Sequence, residues 1–270
     1  MAKKSLGQNF LIDAGVAERI VREFAPRADE TVVEIGPGGG ALTRRLVERA
    51  GRVVAVEFDR ELIPVLRERF GARENFTLLH DDALKVDYCA AVAPAASARV
   101  IANLPYNIAT AILQRLLEQR ACLPEMLLML QREVVERITA PAGSSMRGYL
   151  SVLVEAYCSA EALFDVSPEA FRPAPKVWST IVRLKSRAPE PGDVRNDALF
   201  LRLVGAGFAQ RRKTIHNNLR GAPAFVTALA EKAGGAPQVL ADAGLEPSRR
   251  AESLTLAEWV RLASTLKRAE

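Results

Sequence analysis

The chain has 270 residues, 49% hydrophobic and 26% charged, which suits one large globular domain or a large one with a small companion. No apolar run reaches the ~20 residues that a bilayer span needs. The opening Met1–Phe10 has two lysines with no apolar stretch behind them, so neither a membrane anchor nor a signal peptide is expected. The net charge of +5 is compatible with a polyanionic partner and, alone, is weak evidence for one.

Taken in chain order, Asp13–Ala25 has apolar residues at Val16, Ala17, Ile20, Val21 and Phe24, a helical spacing that Asp13 can cap. Thr31–Ile35 reads as a buried strand ended by the glycine-rich Gly36–Gly40, and Ala41–Arg49 as a helix. Arg52–Glu57, Phe76–His80, Arg99–Ala102 and Glu125–Leu130 read as further strands, with helices at Glu61–Phe70 and Thr110–Gln119. Strands alternating with helices imply an α/β fold, a parallel sheet covered on both faces. Glu133–Ile138 is helical and Ala140–Gly148 a loop of small residues. Leu150–Tyr157 and Ser179–Leu184 are expected to be the terminal strand pair of the sheet. Arg187–Gly192 has linker composition, so a catalytic domain over 1–187 and a small all-helical domain over 188–270 are expected. The last helix is announced by the capping box Thr255-Leu256-Ala257-Glu258.

Cys89, Cys122 and Cys158 are widely spaced, no C-x-x-C occurs, and His80 and His216 are the two histidines. That set speaks against a disulfide framework or a zinc site, so no metal is expected, and it fits a reducing cytoplasm.

The loop Gly36-Pro37-Gly38-Gly39-Gly40-Ala41 sits between a strand and a helix, where glycine lets the backbone turn sharply and approach a ligand. Glu57 ends the next strand, where a carboxylate can accept from ribose hydroxyls. A dinucleotide and S-adenosylmethionine would both use this layout. Two features favour S-adenosylmethionine: Glu34 in Val33-Glu34-Ile35-Gly36-Pro37-Gly38 resembles motif I of class I methyltransferases, and Asp82 ends the third strand, where it can accept from an adenine amine.

Asn103-Leu104-Pro105-Tyr106 follows the fourth strand on the same rim. The N6 lone pair of adenine is delocalised into the ring, and its protons are too weakly acidic for a general base to help much. Acceptors do better: the Asn103 side-chain oxygen and a backbone carbonyl, that of Leu104, can take the two N6 hydrogens and free the lone pair. Pro105 stiffens the turn, and Tyr106 offers its face to an unstacked base, worth roughly 1–3 kcal/mol. A base within structured nucleic acid must be turned out to reach such a pocket. Phe171, in a proline-stiffened loop, is the candidate for its second face.

Over essentially its whole length the chain resembles the bacterial small-subunit (16S) ribosomal RNA adenine N6,N6-dimethyltransferase family (KsgA/RsmA). The resemblance is carried by Lys4–Leu11, Val33–Gly38, Asn103–Asn107, Leu130–Val135, Phe171–Val177 and Phe208–Thr214. It implies a class I (Rossmann-like) methyltransferase sheet with a helical C-terminal domain, S-adenosylmethionine as methyl donor, and cofactor contacts from Asn9, Leu11, Gly36, Glu57, Asp82 and Asn103, beside Gly38 of the glycine loop. The implied substrate is a pair of adjacent adenosines in the 3′-terminal hairpin loop of 16S rRNA, within the small ribosomal subunit. A monomer is the simpler expectation. The family's usual leucine or other larger residue is replaced by Gly39, and Arg147-Gly148-Tyr149 departs from its usual order. The loop holding Arg147 is expected to face substrate. Arg211, Arg212 and Lys213 suit phosphate contacts that position rather than specify, and Lys4 is a further candidate. Arg249 and Arg250 are expected in solvent. Two other functions stay open: a large-subunit rRNA adenine methylase of the macrolide-resistance type, expected to lack the full helical tail and its Gln210-Arg211-Arg212-Lys213-Thr214 segment, and a ribosome-assembly checkpoint factor.

Overall fold

The computed structural model describes residues 7–187 and 193–270. Lys4 and most of the expected linker therefore lie outside the described residues. Seven strands form one sheet in the order β4-β3-β2-β5-β6-β9-β7. They are β2 (Thr31–Ile35), β3 (Arg52–Glu57), β4 (Phe76–His80), β5 (Arg99–Asn103), β6 (Glu125–Gln131), β7 (Cys158–Val166) and β9 (Ser179–Ser186). Short β1 (Phe10–Leu11) and β8 (Phe171–Arg172) pair separately and antiparallel. From β4 to β6 neighbouring strands are parallel, with Val33 beside both Val54 and Val100. β9 then runs antiparallel to β6, placing Ile181 opposite Met129.

The parallel strands are nearly continuous Val, Ile and Leu because both faces are covered. Helix α1 (Ala14–Phe24) covers one face with Ala17, Ile20, Val21 and Phe24, and Asp13 caps it by accepting from the Val16 N–H at 2.9 Å. The helix expected over Ala41–Arg49 contracts to α2 (Thr43–Leu46), with turns on either side. Helices α3 (Leu62–Phe70), α4 (Tyr88–Ala91) and α5 (Ala109–Glu118) complete the parallel part.

Residues divide into two compact units, Met1–Val135 with Ser159–Ala188, and Glu136–Cys158 with Pro189–Glu270. The second unit thus takes in a segment that the sequence assigned to the catalytic domain. It contains α7 (Tyr149–Tyr157), α8 (Ala198–Gly207), α9 (Ile215–Arg220), α10 (Ala224–Lys232), α11 (Ala236–Asp242) and α12 (Leu256–Lys267). α6 (Arg132–Ile138) spans the boundary. The Thr255 capping box forms as expected, with Glu258 Oε2 accepting from the Thr255 N–H at 2.8 Å.

Three expectations need correction. Leu150–Tyr157 is helix α7, not a strand, and the terminal strand begins at Cys158. A helix buried nearly all round loses its amphipathic period and looks like a strand in sequence. Cys89 and Cys122 form a disulfide, with Cα atoms 5.6 Å apart. Their spacing of 33 residues hid this, because α4 is fastened beside the end of α5 by the Tyr88 N–H donating to Gln119 Oε1 at 2.6 Å. Arg249 is half-buried and tied down rather than free in solvent: it pairs with Glu258 and donates to the Ser253 carbonyl at 2.6 Å.

Two features of the β2 segment have measurable consequences. Glu34 is 1% exposed, and its Oε2 has no hydrogen-bond partner. Burial, with the Glu57 carboxylate nearby, pushes its pKa up to about 8. In the following loop, Gly40 has φ +83°, and a Cβ there would lie 2.6 Å from the Phe70 ring, whereas a Cβ on Gly39 meets nothing.

A carboxyl that keeps its proton when folded and has lost it when unfolded makes stability fall as pH rises between the two pKa values, here about 4.5 to about 8. The slope is about 1.4 kcal/mol per pH unit. Glu34→Gln should flatten that decline in urea unfolding of the ligand-free protein, while an unchanged slope would contradict the assignment. In the same assay Gly40→Ala should cost about 1–3 kcal/mol, and Gly39→Ala should be neutral or gain up to about 1 kcal/mol.

Candidate active site

The chain winds from β2 through β3 to β4 on one side and then crosses to β5 on the other. The gap between the carboxyl ends of β2 and β5 is a topological switch point, where open α/β sheets bind their ligands. Both sequence features of interest lie there, because Gly36 follows β2 and Asn103 ends β5. A pocket opens between them, lined by Asn9, Leu11, Glu34, Gly36, Gly38, Glu57, Asp82 and the whole Asn103–Tyr106 box.

The glycine loop makes the floor. Gly36 and Gly38 have φ of +66° and +58°, left-handed conformations that glycine adopts without strain. The Gly38 N–H donates to Glu57 Oε2 at 3.2 Å, and the Asp59 N–H donates to Oε1 at 2.8 Å. Burial raises the Glu57 pKa, and these backbone donors oppose the rise. Asp82 Oδ1 accepts from the Leu84 N–H at 3.0 Å, which turns the segment after β4 back toward the pocket. Phe58, unremarked in the sequence, is 58% exposed on the pocket wall between Glu57 and Asp59. The sequence offers no signal for Phe58, because the exposure of its ring follows from the fold.

This lining fits S-adenosylmethionine. The buried Glu34 oxygen lacks a geometric hydrogen bond and calls for a polar partner, Glu57 and Asp82 offer acceptors, and Phe58 gives an apolar face. A dinucleotide fits poorly: its pyrophosphate would lie at a loop flanked by the carboxyls of Glu34, Glu57 and Asp59, and α2 is only four residues long.

The opposite wall is the box. Asn103 Nδ2 donates to the Asn9 carbonyl at 3.0 Å, leaving Oδ1 as the acceptor at the pocket. The Leu104 side chain is buried and its N–H donates to the Met129 carbonyl at 3.3 Å. The Ile108 N–H closes the turn on the Pro105 carbonyl at 3.2 Å. Tyr106 is half-buried; its hydroxyl and Ser179 Oγ are 2.6 Å apart, and burial raises its pKa. β1 lies over the loop as a strap, its Phe10 ring 3.0 Å from where a Gly38 Cβ would stand. β1 is tied in turn to β8 through Leu11 opposite Phe171.

Some expected site residues lie elsewhere. Phe171 is 3% exposed and packs in the core with Leu11, Val166 and Ile181, away from the pocket lining. The strand pairing that holds β1 turns its ring inward. Arg147 is 1% exposed, donating to the Ala140 carbonyl at 3.0 Å and pairing with Glu155, so it organises its own loop. Arg211 is exposed and donates to the carbonyls of Ser145 and Arg147. Arg212 and Lys213 are exposed on the same turn, which Asn218 Nδ2 holds by donating to the carbonyls of Gly207 at 2.7 Å and Gln210 at 3.1 Å. Among the described residues no cluster of metal-ligating side chains occurs, and no helix is long and apolar enough to cross a membrane.

Comparison with known proteins accords with this geometry. Residues 1–262 match the family model described as ribosomal RNA adenine dimethylase. The protein named ribosomal RNA small subunit methyltransferase A of Hahella chejuensis is 44% identical over 262 residues, 97% of this chain and 92% of that protein. Its namesake in Pseudomonas aeruginosa is 43% identical over 265 residues, covering 98% and 94%. Among solved structures, a dimethyladenosine transferase from Plasmodium falciparum superposes with a TM-score of 0.79 at 24% identity, over 96% of this chain and 98% of that one, and shares the fold. The 23S rRNA methyltransferase ErmE superposes with a TM-score of 0.67 at 26% identity, over 96% and 100%. By sequence over nearly its full length and by fold, the chain belongs to the ribosomal RNA adenine dimethylase family of S-adenosylmethionine-dependent methyltransferases.

Proposed function

We propose that this protein dimethylates N6 of two adjacent adenosines in the 3′-terminal hairpin loop of 16S rRNA, acting as a cytoplasmic monomer on the small ribosomal subunit during its biogenesis. The observation that carries this is the Asn103 amide, turned by Asn9 so that its oxygen stands at the pocket. S-adenosylmethionine supplies an electrophilic methyl group on a sulfonium. The chain's own residues make the amine a nucleophile. Asn103 Oδ1 and the Leu104 carbonyl accept the two N6 hydrogens, favour a tetrahedral nitrogen and direct its lone pair. A monomethylated adenine keeps one N6–H, so one of the two acceptors still engages it in the second round. Tyr106 stacks on the turned-out base, and its hydroxyl bond to Ser179 sets the ring's angle. Fixed dipoles and placement then do the work that a general base would not.

The large-subunit alternative has some support. ErmE aligns over 96% of this chain, so the helical tail does not separate the two classes as the sequence suggested. Identities of 43–44% to small-subunit enzymes, against 26% to ErmE, favour the small subunit. A checkpoint role is compatible with catalysis and would rest on exposed cations such as Arg212 and Lys213.

Mass spectrometry of RNA from unmethylated small subunits, treated with the protein and S-adenosylmethionine, should find two neighbouring dimethyladenosines. No methyl transfer to such subunits would sink the proposal. Asn103→Ala should lower kcat by about 100-fold or more while the protein still binds subunits. Replacing Arg212 and Lys213 with alanine should weaken subunit binding across RNA sequences and reduce its salt dependence by about one to two counterions.

A further inference from the structure

Trp178 is 45% exposed and its neighbour Val177 44%, whereas Trp259 is fully buried. They end the loop from Phe171 to Trp178, which carries the exposed cations Arg172 and Lys176 and no carboxylate. The backbone here is fixed. The Trp178 carbonyl accepts from the Arg132 N–H at 3.0 Å, where β6 passes into α6. The next residue, Ser179, opens β9 opposite Gln131 and holds the Tyr106 hydroxyl. Consecutive Cα atoms are about 3.8 Å apart, so Trp178 stands within a nucleotide's reach of the box. Phe171, the residue expected to give the second aromatic face, is buried. A strand bearing one turned-out adenosine exposes the neighbouring base as well, and that base needs a face.

We propose that Trp178 is a stacking platform for the unpaired base next to the adenosine held at Tyr106, with Arg172 and Lys176 meeting the adjoining phosphates. Aromatic rings suit any unpaired base because every base has a π-face, and nearby cations track its backbone. Acidic groups are present on the same rim at Glu133 and Asp165, and Arg132 lies 3.8 Å from Asp165. The loop itself remains purely cationic. This inference rests on the RNA-methylation function proposed above.

The test is methylation of unmethylated small subunits by the full chain carrying Trp178→Ala, Trp178→Leu or Trp178→Phe. Each variant is checked for an unchanged melting temperature and unchanged binding of S-adenosylmethionine. Trp178→Ala and Trp178→Leu should raise KM for subunits about tenfold or more with kcat within about twofold, and Trp178→Phe should restore most of the loss. Leucine rescuing as well as phenylalanine would mean apolar packing, against this chain or a ribosomal protein, and would overturn stacking. An alanine variant equal to wild type would overturn it too, with the proposed function intact. If the wild-type chain transfers no methyl to subunits, the function and this inference fall together.

Discussion

The hydrogen bond from Asn103 Nδ2 to the Asn9 carbonyl decides which atom of the box the pocket presents. An amide offers a donor at one end and an acceptor at the other, and only the acceptor helps to activate an aromatic amine. Fixing the donor on Asn9, just before β1, therefore leaves the acceptor for the proposed chemistry. It also explains why the amino-terminal strap matters: Phe10 covers Gly38, Leu11 packs on Phe171, and the pairing with β8 keeps Asn9 in place. Phe171, the aromatic expected to touch substrate, is buried and pairs with Leu11 of the same strap.

The sheet supplies the rest of the geometry. Because the strand order reverses between β2 and β5, the glycine loop and the box face each other across one gap. The box meets a loop whose left-handed glycines admit close approach and whose surroundings are acidic. Glu34 is the sharpest sign of a missing polar partner, since a buried oxygen without a hydrogen bond is costly. The raised pKa of the same carboxyl is the basis of the pH dependence expected of the ligand-free protein.

Much of this was legible in sequence because it depends on local chemistry. Buried parallel strands are apolar runs, and the turns that end them need glycine or proline; the loop, Glu57, Asp82 and the box could all be read this way. What escaped depends on neighbours distant in sequence. Leu150–Tyr157 is helical but buried almost all round, so its period vanished. The Cys89–Cys122 bond exists because α4 is fastened to the end of α5. Arg147 and Phe171 sit in segments suited to RNA, yet an ion pair in one case and a two-residue strand pairing in the other turn them inward. Phe58 and Trp178 are illegible in sequence for the opposite reason: exposure of an apolar ring is visible only once the fold is known.

The most direct measurement of the central claim is a structure of the protein bound to an unmethylated small subunit with sinefungin, a non-reactive analogue of the methyl donor. The account predicts an adenine turned out onto Tyr106, its N6 within hydrogen-bond distance of Asn103 Oδ1 and the Leu104 carbonyl, and Asn103 Nδ2 still donating to Asn9. An Asn103 amide reversed toward the base, or a target adenine outside this pocket, would contradict it.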